Sequence, residues 1–330
     1  MREFGYRRVL DVRDAVGLLD ADPDARYLAG GTNLVDLMKT GVERPGRLVD
    51  VRELPLDRVE STPDGGLRIG ATVTNSDLAA HPDVRRRYPM LTQAVLAGAS
   101  GQLRNMATVG GNLLQRTRCA YFTDTSLPCN KRNPGSGCPA IRGEHHNHAI
   151  LGASGQCVAV HPSDMAVALA ALDAVVHYET AEGPGTLPLD AFYLPVGDTP
   201  HRETALPEGA LITGVSLPPA PVAARSRYRK VRERASYAFA IGSVAAALDL
   251  HDGTVSAVRL AYGAVASRPW RARTAERTLL GAPANAETFA EAADAELAAA
   301  RPLPHNAYKV TLMRNLTVAL LGELAEEATR

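Results

Sequence analysis

A short apolar run ends at Tyr27-Leu28, paired glycines follow, and Leu34, Val35, Leu37 and Met38 then recur at helical spacing. The stretch reads as strand, turn and helix. A helix is expected before it, near Asp14 to Leu19, and a strand after it, Leu48 to Val51, which together make a small βαβ unit. From Leu67 onward the pattern predicts a strand, a short helix after Asn75-Ser76 and a helix near Met90 to Ala97. A long aperiodic stretch follows, then a helix from Asp164 to Leu172 and a strand from Ala174 to Glu179. Ile241 to Leu250 and Val255 to Tyr262 flank His251-Asp252-Gly253-Thr254 as a hairpin, with helices near Thr274 to Leu280, Ala286 to Ala299 and Tyr308 to Leu324. Pro-rich segments at 195–207 and 218–221 are loops, and the second is the best candidate boundary before a C-terminal domain.

Composition narrows the picture by exclusion. With 45% hydrophobic and 22% charged residues, a chain of 330 residues has room for two or three domains and a substantial core. Lys plus Arg equals Asp plus Glu, so no global field draws the protein to nucleic acid or to an anionic membrane. Neutral proteins of this kind often live in complexes. The start, MREFGYRRVLDVRDAVGLLD, is broken by charges, and no run of about 18 apolar residues occurs, so neither membrane insertion nor an export signal is expected. By its own sequence the chain is cytoplasmic; a partner carrying the signal could still take it to the periplasm.

Two loops carry candidate chemistry. In Leu28-Ala29-Gly30-Gly31-Thr32-Asn33-Leu34 the glycines permit close backbone approach to an anion, and the following helix offers its positive end. A tight connection with no ligand fits the same residues. The second stretch, Ser100-Gly101-Gln102-Leu103-Arg104-Asn105-Met106-Ala107-Thr108-Val109-Gly110-Gly111-Asn112, again sets glycines among short hydroxyl and amide donors. A bulge or turn closed by Thr108 and Asn112 is the alternative. Neither loop has the G-x-G-x-x-G spacing of a Rossmann domain. Pro162-Ser163-Asp164 reads equally as a ligand contact and as a helix start with Ser163 as N-cap. Most charges around Lys230 are expected to be solvated or paired.

All four cysteines, Cys119, Cys129, Cys138 and Cys157, fall within the aperiodic stretch, separated by nine, eight and eighteen residues. Four thiols suit one tetrahedral site, and the residues alone leave disulfides, zinc and an iron–sulfur cluster open. Zinc usually takes close C-x2-4-C pairs, which are absent here. Arg116, Arg118, Lys131 and Arg132 are placed to offset thiolate charge or to form a docking surface. His145, His146 and His148 are surface residues or donors to the cysteine site in preference to a metal site of their own.

Taken together, Ala29-Gly30-Gly31-Thr32-Asn33-Leu34, Arg104 to Asn112 with its Thr-Val-Gly-Gly-Asn end, Pro162-Ser163-Asp164 and Lys230 resemble the FAD-binding middle subunit of the molybdenum hydroxylases, the group of xanthine dehydrogenase and carbon monoxide dehydrogenase. The resemblance spans nearly the whole chain. It implies an α+β protein: a vanillyl-alcohol-oxidase-like (PCMH-type) FAD-binding fold in two subdomains, 1–58 and 59–220, plus a small C-terminal α+β domain, 221–330. It implies FAD, with Gly30, Gly31, Thr32 and Asn33 and then Thr108, Gly111 and Asn112 around the pyrophosphate. The flanking Leu28, Ala29, Leu34, Ser100, Gly101, Gly110 and Gln115 join them, Ser163 and Asp164 meet the nucleotide portion, and Lys230 lies near the flavin ring. No catalytic residue is assigned, because the implied role is electron transfer beside a large molybdopterin subunit and a small [2Fe-2S] subunit. A free-standing FAD oxidoreductase and a zinc-stapled scaffold are the rival readings.

The cysteine segment, about 116–158, with its run Arg142-Gly143-Glu144-His145-His146-Asn147-His148, resembles the insertion in FAD and [4Fe-4S] subunits of periplasmic aldehyde oxidoreductases. A four-cysteine insertion also occurs in the related subunit of 4-hydroxybenzoyl-CoA reductase. On that resemblance Cys119, Cys129, Cys138 and Cys157 are expected to hold one [4Fe-4S] cluster. One departure stands out: Ser236-Tyr237-Ala238-Phe239-Ala240 replaces the acidic residue that many members carry after the lysine. Use of NAD as acceptor therefore does not carry over.

Overall fold

In the computed structural model, which describes residues 1–328, three sheets each build against their own helices. The first has three parallel strands, Gly5–Arg8, Ala25–Leu28 and Arg47–Asp50, with Arg47–Asp50 in the centre. Helix Val12–Asp20 starts where the Asp11 carboxylate accepts from the Arg13 and Asp14 amides. It buries Ala15 and Val16 against Val49, Val51 and Leu54. Helix Leu34–Thr40 ends at Gly41, whose φ of 79° provides the left-handed cap. The expected βαβ unit is present, and Gly5–Arg8 adds an edge strand that its run of exposed residues concealed.

The second sheet is antiparallel, five strands in the order Val59–Ser61, Leu67–Gly70, Leu211–Leu217, Val175–Thr180, Gly183–Pro188. Helices Pro89–Ala97 and Asp164–Ala171 cover it with a largely apolar surface. The third sheet is an antiparallel meander of Ser226–Val231, Gly242–His251, Thr254–Gly263 and Trp270–Arg271, backed by helices Arg273–Leu279, Ala286–Leu297 and Tyr308–Ala328. Asp252 and Gly253 both have positive φ, 49° and 73°, the two-residue turn that a right-twisted hairpin prefers.

Strand Gly242–His251 is a wall shared by two cores. Ala245 and Ala247 face the core of the second sheet, while Val244, Ala246 and Leu248 face the C-terminal helices, and all are fully buried. Period-two alternation with alanine on one side lets the two layers approach closely. Among the described residues no helix is long and apolar enough to cross a membrane.

On strand Ser226–Val231 the charges are paired, one of the two arrangements expected, and one of the pairs is buried. Ser226, Tyr228 and Lys230 point inward, while Arg227 and Arg229 point outward to Glu327 and Glu323 on the last helix. The inward face is tied to helix Pro89–Ala97: the Met90 amide donates to Ser226 Oγ at 3.1 Å and the Tyr228 amide donates to Gln93 Oε1 at 2.8 Å.

Candidate functional site

The two glycine loops touch. A Cβ on Gly30 would collide with the Met106 carbonyl, so glycine is required there by contact between the loops themselves. Gly31, at φ 72°, turns the chain into helix Leu34–Thr40. The Asn33 side chain bridges onward, its Oδ1 accepting from the Arg116 amide at 2.9 Å. Its Nδ2 is buried with no partner. A buried amide donor left open costs on the order of 1–3 kcal/mol, so a ligand with acceptor oxygens is the natural complement.

Two cavities meet at this point, sharing Thr32, Asn33 and Gly111. One, about 440 Å³, runs to an apolar end lined by Tyr27, Leu54, Leu56, Leu206 and Ile212. The other, about 410 Å³, runs to a polar end at Asn112, Asp164 and Lys230, roofed by Tyr237 and Phe239. Together they form an elongated cleft with an apolar end, a donor-rich waist and a charged end. That suits a long ligand with an aromatic group at each end and anionic oxygens between.

Several hydroxyls serve the protein first. Thr108 Oγ1 accepts from the Gly111 amide and Ser163 Oγ from the Ala166 amide, each capping a short helix. Ser163 Oγ also donates to Asn112 Oδ1 at 2.5 Å, and Gln115 Nε2 donates to the same oxygen at 2.9 Å. Ser163 is thus an N-cap that also holds Asn112, which lines the cleft. Ser100 caps the turn at 101–104, and Ser100, Gly101 and Leu28 stand outside the lining of both cavities. The other expected loop residues and Gln115 border one or both of them, and Ser163 borders a third cavity beside Asp164.

At the charged end, Lys230 Nζ donates to Asp164 Oδ2 at 2.8 Å and to the Ala97 carbonyl at 3.2 Å. Tyr228 donates its hydroxyl to Asp164 Oδ1 at 2.5 Å. Burial, with Asp164 beside it, holds the Tyr228 phenol well above its ordinary pKa, so it remains a donor. The nucleotide and flavin-ring roles given to Asp164 and Lys230 therefore fall on one ion pair at one end of the cleft. The roof belongs to the segment Ser236 to Ala240 that the sequence singles out, whereas Tyr228 was missed; the alternation Ser226, Tyr228, Lys230 was its signal. Tyr237 has φ 53°, and Arg118 stacks its guanidinium 5.0 Å from the Phe239 ring, tying the roof to the cysteine segment.

That segment brings its four cysteines together, all of them free thiols. Cys119 packs with Cys129, Leu37 and Phe122 on one side and with Cys157, Ala159 and Val196 on the other. The Cys157 thiol hydrogen-bonds Cys138, lowering Cys138 to about 7 and raising Cys157, and burial pushes Cys119 up to about 11. Backbone amides of Tyr121, Phe122, Val158 and Ala159 point at these sulfurs. Among the described residues no group of three or more His, Cys, Asp or Glu side chains is arranged to hold a metal ion.

The cations expected to offset thiolate charge are mostly engaged elsewhere, although the charge of Lys131 does favour the Cys157 thiolate. Arg116 pairs with Glu43 and Glu203 at 2.6 and 2.8 Å, Lys131 pairs with Glu203 at 2.6 Å, and Arg132 donates to the carbonyls of Tyr121, Asp124 and Leu127. Burial pushes Glu203 up, but Arg116 and Lys131 together hold it below the usual carboxylate range. The three histidines face three separate partners: His145 accepts from the His305 amide, His146 stacks on Tyr308, and His148 Nε2 lies 3.2 Å from Cys119 Sγ.

Two family models match in tandem: the FAD binding domain in molybdopterin dehydrogenase over residues 2–220, and the CO dehydrogenase flavoprotein C-terminal domain over 226–324. The chain belongs to the FAD-binding subunits of the molybdenum hydroxylases, and it is an oxidoreductase subunit that binds FAD. It is 51% identical over 330 residues to the aldehyde oxidoreductase FAD-binding subunit PaoB of Escherichia coli (strain K12), covering 99% of this chain and 100% of that one. The carbon monoxide dehydrogenase medium chain of Hydrogenophaga pseudoflava is 26% identical, with 91% and 88% of the two chains covered. A solved structure of carbon monoxide dehydrogenase from the same organism superposes with a TM-score of 0.76 at 26% identity, over 99% of this chain and 98% of the other.

Proposed function

We propose that this chain is the FAD-bearing electron-transfer subunit of a heterotrimeric aldehyde oxidoreductase. A large molybdopterin subunit would oxidise the substrate, and a small [2Fe-2S] subunit would deliver the electrons. Residues 1–58 and 59–220 form the two FAD-binding subdomains, and 221–330 the C-terminal domain. The observation that carries the reading is the elongated cleft with Asn33 Nδ2 buried and unpartnered at its waist. When bound, FAD supplies the exchange between paired and single electrons. The chain's own residues hold and shape it. Asn33, Thr32 and the amides around Gly31 and Gly111 take the pyrophosphate, and the apolar end takes the adenine. The Asp164–Lys230–Tyr228 group lies at the isoalloxazine end, where fixed charge and hydrogen bonds tune a flavin.

In the same reading Cys119, Cys129, Cys138 and Cys157 hold a [4Fe-4S] cluster. Support comes from Cys119 with the three other free thiols near it, too spread for a single metal ion but not for a cluster that spans several ångströms, and from backbone amides aimed at the sulfurs. Anaerobic purification with the partner subunits tests the whole proposal, with FAD, iron, sulfide and zinc assayed and the visible spectrum recorded. Flavin with iron and sulfide, together with a molybdenum subunit, is the expected outcome. Zinc without iron would overturn the cluster, and a flavoprotein without partners would favour a free-standing oxidoreductase.

A further inference from the structure

We propose that His148 is a positioning residue for Cys119, donating its Nε2–H to the cysteine sulfur and raising the reduction potential of the group that the thiolates hold. This rests on the cluster reading given above. The contact is direct, 3.2 Å between Nε2 and Sγ. A cysteine sulfur bound to iron carries no proton and can only accept, so the hydrogen must sit on Nε2. The other ring nitrogen agrees: Nδ1 is buried without a partner, and in this tautomer it is a bare acceptor, which is less costly to leave open than an N–H.

The backbone that carries the ring is held from the far end of the chain. The His148 carbonyl accepts from Lys309 Nζ at 2.9 Å and from Asn306 Nδ2 at 3.2 Å, and Lys309 also reaches the Ala264 carbonyl at 2.6 Å. Lys309 and Asn306 are both fully buried. On the other side the His148 amide donates to the His145 carbonyl at 3.0 Å, and His145 is itself stacked on His305. The base of the last helix thus fixes a histidine on the cysteine segment about 160 residues earlier in the chain, and the rigidity exceeds what a surface loop requires. An N–H directed at a thiolate withdraws charge from sulfur and favours the reduced, more negative state.

The test uses the assembled complex and three proteins: wild type, His148→Leu and His148→Gln. Glutamine can set its Nε2 close to where the imidazole Nε2 stands and restores the donor, whereas leucine keeps bulk without it. Iron, sulfide and FAD per chain are assayed, and the cluster is titrated potentiometrically by its electron paramagnetic resonance signal. In His148→Leu the reduced-to-oxidised ratio at a fixed potential should fall about tenfold, ~59 mV for a one-electron couple, with iron retained. In His148→Gln it should return toward wild type. An unchanged potential in His148→Leu at full iron content overturns the proposal, and so do equal shifts or equal iron loss in both variants. Iron loss in leucine alone, with glutamine normal in iron and potential, supports the donor role. Absence of iron and sulfide from the wild type is a separate result that sinks the cluster reading and this inference with it.

Discussion

Lys230 Nζ lies 2.8 Å from Asp164 Oδ2 across the joint between the second and third sheets, and the two side chains are 3% and 8% exposed. A buried pair of this kind adds little net stability as a pair, but removing one partner strands the other charge.

Lys230→Met is therefore expected to destabilise the protein by about 3–5 kcal/mol, because Asp164 stays buried with only Tyr228 left to it. Thermal unfolding and the FAD-to-protein ratio should fall together. The double change Lys230→Met with Asp164→Leu should recover much of the stability and none of the flavin environment, read as a shifted flavin absorption. Recovery of both would mean that the pair is structural alone.

The first glycine loop makes an ordered comparison. Gly30→Ala drives a methyl group into the Met106 backbone and must part the loops, whereas at Gly111 the nearest atom to a new Cβ is Thr108 Oγ1 at 3.1 Å, which can give by a few tenths of an ångström. Gly30→Ala should lose most of its FAD and lower the unfolding temperature. Gly111→Ala should keep more of both. The reverse order, measured by bound flavin, would contradict the loop contact.

Much of this was legible in the chain, and the gaps have physical causes. The helices near Asp14, Leu34, Met90, Asp164 and Tyr308 announce themselves by periodic apolar residues, and the Asp252-Gly253 hairpin by its turn chemistry. Strand Gly5–Arg8 is exposed at every residue and so has no alternation to read. Lys230 sits among Arg229, Arg232 and Arg234, where side-chain type suggests solvent; only the period-two pairing of Arg227 and Arg229 with Glu327 and Glu323 frees the other face to bury it. Arg116 and Lys131 both pair with Glu203, which lies more than seventy residues further along and could not be placed beside them from sequence, and Lys131 still favours the Cys157 thiolate by its charge.

The cysteine segment should be separable from the flavin site. Cys129 is buried beside Leu37 and Phe122, and its amide donates to Ser136 Oγ at 3.0 Å and not to the glycine loops. Cys129→Ser is expected to abolish the absorption assigned to the cluster while leaving most of the FAD. Three links join the regions: the Asn33 to Arg116 hydrogen bond three residues before Cys119, the stack of Arg118 on Phe239, and the packing of Leu37, which lines the cleft, against Cys129. If flavin is lost in step with iron, those links couple the two sites.

A final prediction concerns acid. His161 lies under Tyr193, its Nδ1 accepting from the Ser163 amide at 3.3 Å and its Nε2 buried without a partner, and burial pushes its pKa down to about 4. In the unfolded chain a histidine takes its proton near pH 6.5, so between that value and about 4 the unfolded state binds more protons. Stability from this residue is therefore complete above pH 6.5 and is lost as the pH falls toward 4, by about 3 kcal/mol at most. His148, also pushed by burial to about 4, titrates in the same window, so His161→Asn should remove part of the pH dependence and not all of it. Protonation would also break the hydrogen bond that orients Ser163, whose hydroxyl caps helix Asp164–Ala171 and holds Asn112. Flavin release on acidification should accordingly begin before global unfolding in the wild type. Urea midpoints and flavin fluorescence recorded from pH 7.5 down to about 4.5 check both claims. A His161→Asn protein whose midpoints fall as steeply as the wild type's would show that the proton is taken up elsewhere.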